Sequence, residues 1–246
     1  NYKKYLNIPM VILHIETSTH VCSVALSEQE KFIFQQSNYD GMNHAALLSL
    51  FIQDALDLLK ESGKKLDAVA VSSGPGSYTG LRIGVSTAKG LCYGLNIPLI
   101  SVSTLEIMTI AAQKTLAADK HGLFVPMIDA RRMEVYDALF DNNRRIVRDT
   151  AASIINEQSY TTWLENSQLY FFGSGAAKCK YVINSPHAIF IDDIHPLAEN
   201  MIEPALKKFQ QQQFEDVAYF EPFYLKEFQS SYKPQKEDQG NTKAII

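Results

Sequence analysis

Ser72-Ser73-Gly74-Pro75-Gly76-Ser77-Tyr78-Thr79-Gly80-Leu81-Arg82 sets three glycines and a proline between a β-rich run, Leu66 to Ser72, and a run with helical spacing, Leu81 to Leu95. A loop of this composition serves its backbone. Glycine reaches dihedrals closed to other residues and admits a second chain or a ligand at close range, while Ser77 and Thr79 are capping residue types for the helix that follows. The first turn of that helix offers N–H groups to an anion. The glycines at 74, 76 and 80 read G-x-G-x-x-x-G, and no Gly-Lys-Ser/Thr follows, so neither the dinucleotide fingerprint nor the P-loop is present. The loop predicts a strand-loop-helix unit, and its neighbours must decide what it serves.

Upstream, residues 10–16 read as a buried strand, 21–27 alternate as a second and 31–37 give a third, joined by short polar turns that imply antiparallel neighbours. Residues 43–60 carry Leu47, Leu50, Phe51, Ala55, Leu58 and Leu59 at helical spacing, with Gly63 as a stop. Downstream, a strand at 97–102 precedes a helix from Ser103 or Thr104 to about Ala118. The order through this half is β-β-β-α-β-α-β-α. From Gly122 the pattern partly repeats: a hairpin of Leu123 to Asp129 and Val135 to Asp141 around Ala130-Arg131-Arg132-Met133, a short strand at 145–148, and a helix near 157–165. A strand at 168–172, a Gly173-Ser174-Gly175 turn, a strand at 187–191 and a helix through 196–213 complete it. Two α/β halves are expected, 10–103 and 104–228. The polar tail 229–246 is expected to be poorly ordered, and residues 1–9, ahead of Met10, to lie outside the folded unit.

Composition narrows the function classes. With 246 residues and 46% hydrophobic side chains the chain has ample material for a core. Its 23 basic and 27 acidic side chains leave a net charge of -4, so no global field draws it to nucleic acid or anionic lipid. Cys22, Cys92 and Cys179 stand apart in apolar runs, a pattern of reduced buried thiols that predicts a cytosolic protein. No uncharged apolar stretch reaches the length of a membrane helix, and the first nine residues lack a signal peptide's apolar segment.

Three antiparallel strands followed by α-β-α, used twice, is the arrangement of the actin, hexokinase and heat-shock-chaperone ATPase superfamily, a duplicated ribonuclease H-like fold of five-stranded mixed sheets flanked by helices. Four segments sharpen the likeness: Ile15-Glu16-Thr17-Ser18-Thr19 through Ser23-Val24-Ala25-Leu26; Ser73 to Arg82 with Gly84, Ala88 and Gly90; Asp129-Ala130-Arg131-Arg132-Met133-Glu134-Val135-Tyr136; and Pro222-Phe223-Tyr224-Leu225. From about Met10 to Phe228 the chain resembles the TsaB family, also called YeaZ, of the bacterial tRNA threonylcarbamoyladenosine machinery. The resemblance implies a non-catalytic subunit pairing with a paralogous transferase, TsaD, with an ATPase, TsaE, docking on the pair and tRNA met only through the complex. Alone, such a chain is expected to pair with itself.

The residues can be held against that implication. A phosphate hairpin of the superfamily presents Asp-x-Gly-Thr, where a short carboxylate organises hydrated Mg²⁺ and glycine lets N–H groups reach phosphate. Here Glu16-Thr17-Ser18-Thr19 has a longer acid and a side chain at the glycine position, and in the second hairpin, after Asp129, Arg131 and Arg132 replace glycines. These loops, with Gly74, Gly76 and Ser77 and with Gly173 and Gly175, read as a degenerate nucleotide site: no tightly held cofactor is expected, and a residual nucleotide at the partner boundary stays open. The paralogous transferase takes its metal from two histidines at i, i+4 spacing; here Leu48 follows His44, so no metal is expected. His14, His20 and His121 read as ordinary hydrogen-bonding residues, and Cys92 as a small buried hydrophobe.

Gly80, Gly84 and Ala88 recur every four residues on one helical face, where glycine lowers helix stability by ~1 kcal/mol against alanine. Spacing alone leaves two readings, packing on the helix's own sheet or close approach of another backbone. The resemblance implies the second: an intersubunit bundle of His44, Leu47, Leu48 and Phe51 with Gly80, Arg82, Gly84, Thr87, Ala88 and Leu91. Two rival activities, a glycoprotease-like metallopeptidase and a small-molecule kinase, need a bound metal or an aspartate base that the sequence does not supply. Direct RNA binding would need a basic patch assembled by folding.

Overall fold

The computed structural model describes residues 10–41, 43–117 and 121–225. The expected N-terminal extension and polar tail lie outside the described residues. β1 (Val11–Glu16), β2 (Cys22–Glu28) and β3 (Lys31–Asn38) pair antiparallel, with Ile15 opposite Val24 and Glu16 opposite Ser23. β4 (Ala68–Ser72) runs parallel to β1, and β5 (Leu99–Val102) parallel to β4, giving the order β3-β2-β1-β4-β5. β6 (Leu123–Asp129), β7 (Glu134–Phe140) and β8 (Ile146–Ile154) pair antiparallel; β9 (Leu169–Phe172) and β10 (Ala188–Ile191) extend that sheet in parallel as β10-β9-β6-β7-β8. Counted within each half, both sheets run third-second-first-fourth-fifth with the same pairing senses. That repetition is the duplicated ribonuclease H-like fold of actin-like ATPases.

Both faces of the first sheet are covered, which is why β1 and β4 read as near-continuous apolar runs. On one face α1 (His44–Glu61) contributes Leu48, Ile52, Ala55 and Leu59, and α2 (Tyr78–Leu95) contributes Val85, Ala88 and Cys92, all against Leu13, Ile15, Val69 and Val71. On the other, Ile12, Ala70, Ile100 and Val102 meet Ile107 of α3 (Thr104–Thr115) and Met201, Ala205 and Leu206. The last three come from a 3₁₀ turn, Ala198–Met201, and from α6, Ile202–Gln210. The helix expected over 196–213 is therefore split. Pro204 lacks an N–H and fits only the first turn of an α-helix, so α6 starts at Ile202.

Packing crosses the division at 103/104, because residues 198–225 return to the first sheet. The Glu215 N–H donates to the Leu99 carbonyl at 2.9 Å, Lys89 Nζ donates to the Ala218 and Phe220 carbonyls at 3.1 and 3.0 Å, and the Phe223 N–H reaches the Ser73 carbonyl at 2.7 Å. In the second half, the helix expected near 157–165 shrinks to α4 (Thr161–Leu164), because Asn156 and Ser159 form a turn and Tyr160 takes a left-handed backbone, φ 66°. α5 (Ala176–Cys179) is another single turn. Asp137, wholly buried, accepts from Arg148, from the Tyr160 hydroxyl and from Ser153 Oγ, the last at 2.6 Å.

Candidate functional site: the cleft between the halves

The carboxyl ends of β1, β4 and β6 open into one cleft of about 1440 Å³. Ser18, Thr19, His20, His44 and the loop from Pro75 to Gly80 line it from the first half, Asp129 to Glu134 with Ser174 from the second, and Phe223, Tyr224 and Leu225 complete the lining.

The glycine loop is pressed onto the β1–β2 turn. Ser77 is the N-cap of α2, its Oγ accepting the Gly80 N–H at 3.3 Å, while its own N–H donates to the Ser18 carbonyl at 2.6 Å. Thr79 lies inside the helix and does not cap. A Cβ on Gly76 would stand 2.9 Å from Ser18 Cβ, one on Gly80 would overlap the Thr17 carbonyl oxygen, and one on Gly84 would overlap Thr17 Oγ1. Thr17 Oγ1 donates to the Gly80 carbonyl at 2.8 Å. Gly74, at φ 100°, faces the Phe223 carbonyl. The glycines are thus required by the chain's own close packing.

Four of the ten residues expected at the interface face inward within this chain. Gly80, Gly84 and Ala88 are buried against their own β1 and its turn, and Leu48 is buried in the first core, so none of the four is open to a partner. Leu47, Phe51, Thr87 and Leu91 are half-buried and Arg82 is exposed. His44 Nε2 lies 3.0 Å from the Thr19 carbonyl and, facing an acceptor, is the donor; it ties α1 to the β1–β2 turn. Spacing also underrated other positions. Leu50 is 60% exposed and Tyr93 85%, Leu58 is exposed, Ile83 is half-buried, and Gly90 and Gly94 have open space above them. Gly90 and Gly94 repeat the four-residue interval of Gly80 and Gly84, and nothing in that interval distinguishes an inward face from an outward one.

Glu16 is wholly buried and not among the cleft's lining residues. Its Oε1 accepts the Ser18 N–H at 2.6 Å, and the Ser18 and Ser72 side chains also contact the carboxyl. Burial pushes its carboxyl up to about 7, against the opposing pull of the Ser18 and Ser72 contacts. His14, also wholly buried, holds Ser27 Oγ at 2.9 Å, and burial drives its pKa down to about 3. Cys22, Cys92 and Cys179 are free and buried, and burial lifts each thiol to about 11, leaving it protonated at neutral pH. Among the described residues no group of three His, Cys, Asp or Glu converges to hold a metal, and no helix is long and apolar enough to cross a membrane.

Across the cleft, the hairpin tip places Arg131 at φ 72° and Arg132 at φ 50°, both left-handed. Asp129 Oδ1 accepts the Arg131 N–H at 2.9 Å and pairs with Lys178. The Gly173-Ser174-Gly175 segment is a structural turn: the Gly175 N–H donates to the Met127 carbonyl at 3.0 Å and Ser174 Oγ accepts the Asp129 N–H at 3.1 Å.

Comparison with known proteins gives one consistent picture. Residues 36–229 match the family model of TsaD, tRNA N6-adenosine threonylcarbamoyltransferase. The chain is 30% identical over 223 residues to the tRNA threonylcarbamoyladenosine biosynthesis protein TsaB of Escherichia coli, covering 88% of this chain and 95% of that one. It is 34% identical over 161 residues to the TsaB of Bacillus subtilis, covering 63% of this chain and 65%, just under two thirds, of that protein. The solved structure of YeaZ from Pseudomonas aeruginosa superposes with a TM-score of 0.73 at 26% identity, covering 88% of this chain and 100% of that one. The chain belongs to the TsaB family.

Proposed function

We propose that this chain is a non-catalytic accessory subunit in the synthesis of threonylcarbamoyladenosine on tRNA. It docks on a TsaD-like transferase through α1 and α2, and the pair then receives a TsaE-like ATPase. The observation that carries this reading is the state of the superfamily's reactive positions: Glu16 is sealed behind Ser18, and His44 is committed to the Thr19 carbonyl with Leu48, four residues on, in the core. A kinase or a metallopeptidase needs those positions free to meet a substrate or a metal.

The docking face is what α1 and α2 leave uncovered. Leu47, Leu50, Phe51 and Leu58 follow one another along α1, and Ile83, Thr87 and Leu91, beside the open Gly90 and Gly94, along α2. Covering one exposed leucine contributes about 1.5–3 kcal/mol, so a few such residues supply much of a stable pairing. In the absence of the transferase the same face pairs with a second copy of this chain.

The test is the mass of the full chain mixed with its cognate transferase, for wild type and for Leu50→Glu. A one-to-one pair is expected for wild type. The variant, changed at a 60% exposed position, is expected to keep its fold and lose at least about tenfold in affinity, roughly the loss of one buried leucine. Unchanged pairing would place the docking face elsewhere, and ATP turnover or peptide cleavage by the isolated chain would overturn the non-catalytic assignment.

A further inference from the structure

We propose that the cleft between the halves is occupied by this chain's own continuation, the segment from Lys226 to Lys233, laid against the lining that the second half supplies. The first reason is the place at which the described chain stops. The Phe223 N–H is fixed to the Ser73 carbonyl at 2.7 Å, and the Tyr224 ring packs on Tyr78 with centroids 4.9 Å apart. Phe223, Tyr224 and Leu225 are themselves part of the cleft lining, so the next residues are delivered at the cleft. Their docking is intramolecular. An effective concentration in the ~mM range then populates a contact too weak to hold a free peptide.

The second reason is the chemistry of the lining. Asp129 and Glu134 stand beside Arg131 and Arg132, so no single sign selects a polyanion or a polycation. Lys226 and Glu227, adjacent in sequence, carry both signs. Asp129 is paired with Lys178, whereas Arg131 and Arg132 are exposed and have no acidic partner among the described residues. The charge they suit is an incoming carboxylate, that of Glu227. Beside them the lining is apolar: Ile154 is 73% exposed, and Met133 and Tyr136 are half-buried. Phe228 is the next residue after Glu227, and an aromatic ring laid on that surface removes apolar area from water on both sides.

Size favours a length of polypeptide over a single small molecule. The cleft holds about 1440 Å³, against roughly 300–1,000 Å³ for an ordinary small-ligand site. The inference goes beyond the accessory role and makes no use of the docking face, so either can fail alone.

Paramagnetic broadening in the full chain tests it. Cys22, Cys92 and Cys179 are buried, so a thiol-directed nitroxide labels Gln229→Cys selectively. The label is expected to broaden the methyl signals of Ile154 and Met133 and to leave those of Leu50 and Leu58 on α1 sharp. Arg131→Glu with Arg132→Glu, both at exposed positions, is expected to weaken the broadening at least about threefold, the scale of an exposed ion pair, and adding Glu227→Lys to restore it. Broadening no stronger at Ile154 than at Leu50 would overturn the proposal, as would broadening unchanged by the arginine substitutions. A mixture of spin-labelled chains without isotope and isotope-enriched chains without label is expected to show none. Broadening there as strong as within one chain would assign the cleft to the segment of a second copy and overturn the proposal as well.

Discussion

Replacing Gly84 with alanine separates a glycine kept for internal packing from one kept for docking. Helix propensity alone makes the change stabilising by about 1 kcal/mol. In this fold the new Cβ lies at ordinary distances from Thr17 Cβ and Ile15 Cγ2, 3.5 and 3.6 Å, but overlaps Thr17 Oγ1. That hydroxyl is engaged, donating to the Gly80 carbonyl at 2.8 Å in a buried site. Turning it away strands a buried polar group at about 1–3 kcal/mol, and leaving it in place forces α2 off the sheet at a similar overpacking cost. Either route offsets the propensity gain, so no stabilisation and a net loss of up to about 2 kcal/mol is expected. In a Thr17→Ala background the obstacle is absent, and the same substitution is expected to stabilise by up to about 1 kcal/mol. Gly90→Ala, with open space above it, should behave that way in the wild-type chain. Urea titrations of the three single variants and the double variant measure each term. If Gly84→Ala stabilises the wild-type chain as Gly90→Ala does, α2 does not press on Thr17 and the account of the glycine strip is wrong.

Two buried groups set opposing pH dependences. Glu16 is held at about 7 against an ordinary 4.5, so the stability from its retained proton is complete below about 4.5 and lost as pH rises to about 7, on the order of 3 kcal/mol. His14, at about 3 against 6.5, gives stability that is complete above about 6.5 and lost as pH falls toward 3. Between about pH 4.5 and 6.5 the two slopes offset, so Glu16→Gln is expected to make stability climb with pH and His14→Gln to make it fall, each more steeply than wild type in denaturant titrations; parallel curves for all three proteins would refute the assignment. In the second half, Asp137→Ala leaves Arg148, Tyr160 and Ser153 without their acceptor and is expected to lose about 3–5 kcal/mol in urea unfolding, against about 1 kcal/mol for Tyr160→Phe. The reverse order would remove Asp137 from the centre of that network.

The first half was legible because its signals are local. β1 and β4 are short, largely apolar runs and β2 alternates, each between turn residues, and α1 and α2 carry helical spacing over 18 residues each. The second half is built from shorter pieces whose limits are set by tertiary contacts. β8 runs on through Asp149 to Ile154 because Ala151 to Ile154 pair with β7, not because those residues alternate, and one left-handed residue at Tyr160 cuts a helical pattern to a single turn. The same limit hid the orientation of α2. A run of small residues specifies a face that something approaches closely, and the occupant, Thr17, lies more than sixty residues earlier in the chain. Recurrence along one helix carries no information about a contact of that range.

The cleft poses the converse case, in which sequence and conformation disagree and the disagreement is informative. The hairpin after Asp129 sets arginine at two positive-φ positions, Arg131 and Arg132, where glycine is the residue that fits without strain. At the first hairpin the fold has instead turned inward, sealing Glu16 under Ser18 and filling the turn with the glycine loop. One hairpin is packed shut and the other carries exposed Arg131 and Arg132 between Asp129 and Glu134, so neither presents the open glycine backbone that brings N–H groups to a phosphate.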